Sequence, residues 1–423
     1  MISSNTNINK IKNNQNGLQD DLLTELADIY TTPLYVYDGD KILENFYAFQ
    51  KAVSMLDCKI HFAVKANSSI AILYLLGKAG SGADIVSGGE LQRALAANIK
   101  ASDIIFSGVG KTDEELLLAM QHSIGQINVE SGPELERLSD LASSNNLKCS
   151  VALRVNVDVD PGSHVKISTG QNSTKFGISI NDGQAENYYQ KITLHPNLVP
   201  AGLAVHIGSQ IRKLAPFEKA YKALLNFSNH LRSKGFDVPC LDLGGGVGVD
   251  YETNMSPDFF DYGTLVNRLF ANQGYRLGFE PGRAIVANSG SLITKVIYVK
   301  QGFDKRFIIV DAAMNDLIRP TLYDAYHKID SLRARGDFKD IADIVGPICE
   351  TGDYLAKERL MPLVEAGDYL AVRSAGAYGA VMMSNYNTRP EASEVLYYNG
   401  EAHLVRKRRT VEELIKMDTN PFV

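Results

Sequence analysis

Cysteine is scarce. Four residues, Cys58, Cys149, Cys240 and Cys349, stand far apart in a chain of 423. Their spacing suggests neither a disulfide framework nor a zinc site, so the expectation is of free thiols in a cytoplasmic protein. No apolar run approaches the length of a membrane span, and the first residues lack the hydrophobic core of a secretion signal. Basic residues are outnumbered, 43 Lys and Arg against 49 Asp and Glu, which leaves no electrostatic footprint for nucleic acid or an anionic membrane. What remains is an ordinary globular composition, in a chain that is too long for one compact core.

Residues 1–17 are rich in Asn, Ser and Lys and read as a flexible tail, since they bury too little to offset ordering entropy. A helix is expected near Asp20–Ile29, followed by a strand at TPLYVYD. Short apolar runs then recur at IHFAVKA, ADIVS, DIIFSG, QINVES, SVALRVNV, GLAVHIG, CLDLGGG and RLGFEPG. Between them lie stretches with three- and four-residue apolar spacing, such as GELQRALAANI and FEKAYKALLNFSNHLRS. Eight buried strands, mostly each followed by a helix, are the signature of a (β/α)8 TIM barrel. The long insertion between Asn156 and Leu198 could fold over its mouth.

Past about Ala287 the texture changes to β-type segments divided by turns, SLITKVIYVKQ, KRFIIVDAA, DYLAVRSAG and SEVLYYNGE. The division expected is therefore a barrel over 38–286 and a mainly β, sandwich- or barrel-like domain from 18–37 and 287–423, which also takes the N-terminal strand.

Chemistry in such a barrel collects at the C-terminal ends of the strands. Those positions are Lys65, Asp84, Ser107, Arg154, His206, the Gly244-Gly245-Gly246 turn and Glu280. A lysine at the end of the buried run KIHFAVKAN either snorkels to water or, desolvated, becomes a free amine that can form a Schiff base with an aldehyde. His206 offers a flat ring that could stack on a pyridine, or could be structural. Ser209 could donate to a phosphate or cap a helix. DLGGGVG is a turn suited to phosphate but lacks the dinucleotide spacing, which disfavours a nicotinamide cofactor. Glu280 in GFEPGRAIV could face a pyridine nitrogen and keep it protonated, with Arg283 three residues on for a phosphate or carboxylate. The plain alternative is a rim ion pair.

Three further motifs follow. In NDLIRPTLYDAY, Arg319 and Tyr323 share a face if the segment is helical. GPICETGD sets Cys349 beside Glu350, where a thiol is either inert packing or a proton donor. SAGAYGAVMMSNYN places Tyr378 in a turn that could close on a phosphate.

With these residues together, the chain resembles the diaminopimelate decarboxylases, fold type III pyridoxal-phosphate enzymes of the alanine racemase-like barrel group. FAVKAN, SGGELxRAL, HxxIxTG with KFG, HIGSQ, LGGGxG, EPGR, RPxxY, GPxCExGD and AGAY carry the resemblance, from about Thr32 to about Leu404. It departs after SNYNTRP, where EAS replaces the basic residue and proline of many members.

The resemblance implies a pyridoxal 5'-phosphate-dependent lyase that converts meso-2,6-diaminopimelate to L-lysine and CO2, the last step of lysine biosynthesis. Lys65 would carry the cofactor, His206 stack on its ring and Glu280 meet its nitrogen, with Asp84 and Arg154 alongside. Ser209, Gly244, Gly245, Gly246, Gly282, Arg283 and Tyr378 would hold its phosphate. Arg283, Arg319, Tyr323 and Tyr378 would contact the substrate, Glu350 would take its distal ammonium, and Cys349 would return a proton. Cys349 and Glu350 would come from the partner subunit of a homodimer. The rivals are a decarboxylase of ornithine, arginine or carboxynorspermidine, and a non-catalytic relative that serves as a binding protein. ICETGD with RPTLY favours diaminopimelate, and a silent relative should have lost Lys65 or Cys349.

Overall fold

The computed structural model describes residues 18–162, 164–171, 174–253, 258–333 and 335–422. The tail expected over 1–17 lies outside the described residues. Two compact units emerge, one from the described parts of Met1–Glu44, Val249–Ser256 and Ile285–Val423, the other from Asn45–Gly248 and Pro257–Ala284.

The second of these is a closed parallel barrel. Its strands are Cys58–Ala63, Gly82–Ile85, Ile104–Phe106, Gln126–Val129, Cys149–Asn156, Leu198–Ala204, Cys240–Asp242 and Arg276–Phe279. Each pairs in parallel with the next, and the eighth returns to the first with Leu277 opposite Cys58 and Phe279 opposite Ile60. Strands covered on both faces need continuous apolar runs rather than alternation; three of them are buried at every residue and two more at all but the first. A (β/α)8 barrel is therefore the fold, as the eight runs lead one to expect.

Helix starts are written locally. Ser87 accepts from the N–H of Glu90, Ser131 from that of Glu134, and Thr112 forms a reciprocal capping box with Glu115. These caps follow strands two, four and three respectively, so the turns that carry site residues are anchored by the helices they lead into. The insertion between Asn156 and Leu198 holds a two-residue strand, Ile178–Ser179, beside strand five and a helix over Gln184–Leu194.

The other unit is mainly β. The N-terminal strand Leu34–Asp38 lies at its centre, antiparallel to Gly290–Gln301 and parallel to Ser393–Tyr398. Outward from these run Arg306–Val310, Lys339–Val345 and Tyr354–Pro362 on one side and Glu401–Arg406 on the other. The helix Asp20–Tyr30 sets Leu22, Leu23 and Leu26 against Leu34, Val36, Ile293 and Val395, each such buried side chain contributing about 1.5–3 kcal/mol. Asp20 and Asp21 in its first turn suit the positive end of the helix dipole.

Candidate active site at the strand ends

Lys65 sits in the single 3-10 turn Val64–Ala66 that follows strand one. Its Nζ lies 2.6 Å from Oδ2 of Asp84, at the end of strand two. The lysine side chain is 31% exposed and the aspartate fully buried, so the amine is held as half of an ion pair rather than simply desolvated. Oδ1 of Asp84 has no hydrogen-bond partner among the described residues.

Glu280 follows strand eight and is buried. Burial, then the nearby charges of Asp242 and Asp84, pushes its carboxyl well above the usual range, against the pull of Lys65 and Arg154. Asp242, on strand seven, is pushed up to about 6, chiefly by burial, although it accepts from the N–H of Gly244 at 2.9 Å. A buried chain of polar side chains leads to Glu280: Gln126 donates to Asn128 at 2.7 Å, Asn128 to Ser107 at 3.0 Å, and Ser107 to Glu280 at 3.4 Å.

His206 stands just beyond strand six. The Gly245 N–H donates to its Nδ1 at 3.2 Å, which leaves the ring proton on Nε2. Burial, then the cations Lys65 and Arg154, pushes the imidazole well below its ordinary value and keeps it neutral. Arg154 is paired with Glu130 at 2.8 Å, and its guanidinium lies 4.9 Å from the Phe176 ring of the insertion. Thr169, also in the insertion, donates to the carbonyl of His206 at 2.8 Å. Lys65, Ser107, Asn128, Arg154, His206 and Glu280 line one cavity.

Beside this cavity, Arg283 donates through Nε at 3.4 Å and Nη2 at 3.2 Å to the Ser209 hydroxyl. The glycine turn is packed backbone to backbone. A Cβ at Gly244, Gly245 or Gly246 would meet the carbonyl oxygen of Val205 at 2.3 Å, Glu280 at 2.2 Å or Gly208 at 2.4 Å. Gly244 and Gly245 spend their N–H groups on Asp242 and His206. Among the described residues, none accepts that of Gly246. Gly282 lies against Ala63 and Ala66, at 3.0 and 2.9 Å from a would-be Cβ.

The remaining candidates belong to the β unit. Arg319 opens the short helix Arg319–Tyr323, with Pro320 in its first turn, and is buried. Tyr323 ends that helix half-buried. Tyr378 takes a left-handed backbone, φ 55°, before Gly379. Cys349 is exposed, not buried, and Glu350 beside it accepts from the Tyr386 hydroxyl at 3.1 Å.

The family described as "Pyridoxal-dependent decarboxylase, pyridoxal binding domain" matches residues 39–287. A diaminopimelate decarboxylase of Zymomonas mobilis is 46% identical over 411 residues, covering 96% of this chain and 97% of that one. The chain belongs to the diaminopimelate decarboxylase family. The Helicobacter pylori diaminopimelate decarboxylase, solved in complex with L-lysine, superposes with a TM-score of 0.89 at 38% identity, covering 93% of this chain and 98% of that one. The M. jannaschii enzyme, likewise with L-lysine, gives 0.90 at 34% identity, covering 94% of each.

As a diaminopimelate decarboxylase family member, the chain is a pyridoxal-phosphate-dependent decarboxylase, and its strand ends fit that cofactor. Asp84, Asp242 and Glu280 crowd three buried carboxyls together, an arrangement that a cationic ring nitrogen would relieve. The Gly246 N–H, with Ser209 and Arg283 near it, suits a phosphate dianion. Sequence reading missed Asn128, Glu130, Phe176 and Asp242. A signal for two of them was present, since Gln126 and Asn128 interrupt an otherwise apolar strand and Asp242 stands two residues before the glycine turn.

Proposed function

We propose that this chain decarboxylates meso-2,6-diaminopimelate to L-lysine and CO2, the final step of lysine biosynthesis, as a cytoplasmic homodimer with shared active sites. The observation that carries the reading is the convergence of Lys65, His206, Arg154 and Glu280 on one cavity at the strand ends, in a chain of this family. A cytoplasmic location rests on the four free thiols.

Bound pyridoxal 5'-phosphate supplies an electron sink for the pair left behind by departing CO2. Lys65 would hold it covalently, with Asp84 fixing the amine. The neutral His206, its tautomer set by Gly245, offers a ring face for stacking. Glu280, whose environment favours a shared proton, would hold one at the ring nitrogen, with Asp242 behind it. Ser209, Gly244 to Gly246, Gly282, Arg283 and Tyr378 are assigned to the phosphate. Arg283, Arg319, Tyr323 and Tyr378 are assigned to the substrate, the arginines to its distal carboxylate, and Glu350 to its distal ammonium. Cys349 would deliver the proton to the α-carbon. A donor as exposed as Cys349 is in a single chain would need shelter from bulk water, and a partner subunit supplies it.

Specificity follows from the distal end of the substrate. Ornithine has no carboxylate there and would forgo the charge-assisted bonds that a carboxylate makes to the arginines, at about 1.5–3 kcal/mol each. Sites built to bond a polar group reject analogues that lack it by roughly 10⁴-fold. Measurement of CO2 release from meso-diaminopimelate, ornithine and arginine tests this. Comparable rates on all three would sink the assignment of the pocket.

A further inference from the structure

Arg319 and His327 are both buried, 5% and 0% exposed. Nη1 of the arginine donates to Nε2 of the histidine at 2.8 Å. On the far side of the ring, Nδ1 lies 2.8 Å from the carbonyl oxygen of Arg373. A carbonyl only accepts, so Nδ1 carries the proton and Nε2 presents a lone pair. The ring is thus neutral and locked in one tautomer. Tyr251 backs both groups: its ring meets the imidazole edge-on at 5.1 Å and 74°, and the Arg319 guanidinium lies 4.7 Å from its centroid. Arg373 is itself tied to Asp330 at 3.1 Å and Asp20 at 2.6 Å. The backbone acceptor behind the histidine therefore belongs to a residue anchored by two carboxylates.

We infer that His327 is a positioning residue for the proposed reaction, holding the Arg319 guanidinium in the orientation that recognises the distal carboxylate of the substrate. This rests on the assignment of Arg319 made above. The physical reason is preorganisation. A guanidinium offers five donors in a rigid plane, so one bond at Nη1 together with an aromatic face fixes the direction of the rest. An arginine left to rotate must be ordered at each binding event, and that cost falls only on ligands whose carboxylate it holds. A neutral histidine suits the post because it accepts from the arginine without introducing an anion that would compete with the ligand. An aspartate or glutamate there would satisfy the guanidinium and blunt its pull on a carboxylate. Tyr251 contributes an aromatic surface with the same property.

The test compares two ligands on the holoenzyme, L-lysine and 1,5-diaminopentane, which differ by one carboxylate. His327→Asn keeps a donor for the Arg373 carbonyl and removes the acceptor at the Nε2 position. His327→Gln keeps that acceptor. By calorimetric titration, His327→Asn should weaken L-lysine about 10-fold, the scale of one hydrogen bond to a charged group, and leave diaminopentane unchanged. His327→Gln should retain most of the L-lysine affinity. In an Arg319→Ala background, His327→Asn should add nothing. The KM for diaminopimelate should rise in His327→Asn with kcat less affected. A merely structural histidine would lower Tm in both variants without altering the ratio of the two affinities, and that result overturns the inference. So does an undiminished loss in the Arg319→Ala background. If Arg319→Ala itself binds L-lysine as tightly as the parent, the distal-carboxylate assignment of Arg319 falls, and the role of His327 falls with it.

Discussion

Gly245 gives its backbone N–H to Nδ1 of His206 at 3.2 Å, and this one bond decides which form of the imidazole the barrel holds. A protonated ring has no lone pair at Nδ1, so it would lose the bond and meet the charges of Lys65 and Arg154 as well. Burial and these two cations together keep the folded-state value well below the ordinary 6.5.

A pH dependence of stability follows. Below pH 6.5 the unfolded chain takes up a proton at this position and the folded chain does not, so stability falls as pH drops. In cofactor-free protein, urea unfolding between about pH 6.5 and 5 should show this slope, at most about 1.4 kcal/mol per pH unit from one group. His206→Gln should flatten it. An unchanged slope would mean that the ring titrates normally in the fold.

Glu280 runs the other way. Its folded-state value is raised above the ordinary 4.5 by burial and by Asp242 and Asp84, so its contribution is present at low pH and lost as pH rises through the raised value. Glu280→Gln should therefore make the cofactor-free protein less sensitive to rising pH. The same change should cost the loaded enzyme about 10²–10⁴-fold in turnover, the scale of a misplaced proton-bearing group. Turnover near that of the parent would remove Glu280 from the cofactor's ring nitrogen.

The barrel was legible because a parallel strand buried on both faces must be written as an unbroken apolar run, and runs such as ADIV and RLGF have little other use. Residues at the ends of those runs were therefore legible too, Lys65 and Glu280 among them. Lateral partnerships were not. Nothing in a linear sequence says that Asn128 on strand four reaches Ser107 beyond strand three, or that Glu130 meets Arg154 across neighbouring strands. Phe176 was hidden for a different reason: it belongs to an insertion with little regular structure, and only the folded chain brings it over Arg154. The sequence left Cys349 open between inert packing and a proton donor, and in the folded chain a turn bounded by Gly346 and Gly352 sets it in solvent.

The Lys65–Asp84 pair makes its own prediction. Lys65→Ala should abolish both turnover and the near-visible absorbance of bound cofactor. It also strands a fully buried carboxylate, a loss of about 1–3 kcal/mol. Adding Asp84→Asn should restore thermal stability and leave the absorbance absent. Absorbance that survives Lys65→Ala would show that another amine holds the cofactor.

Shared active sites can be tested by mixing two dead enzymes. Cys349→Ala should keep the cofactor absorbance and slow product formation by about 10²-fold or more, while Lys65→Ala should be inactive. If each site draws its lysine from one protomer and its cysteine from the other, subunit exchange in an equal mixture makes half the dimers mixed. Each mixed dimer has one site with both residues intact and one with neither. Activity should then recover to about a quarter of the parent's, a consequence of two-fold symmetry alone. If both residues act within a single protomer, every site in the mixture lacks one of them and no exchange can restore it. Recovery that rises with time of exchange therefore separates the two arrangements without any structural information about the interface.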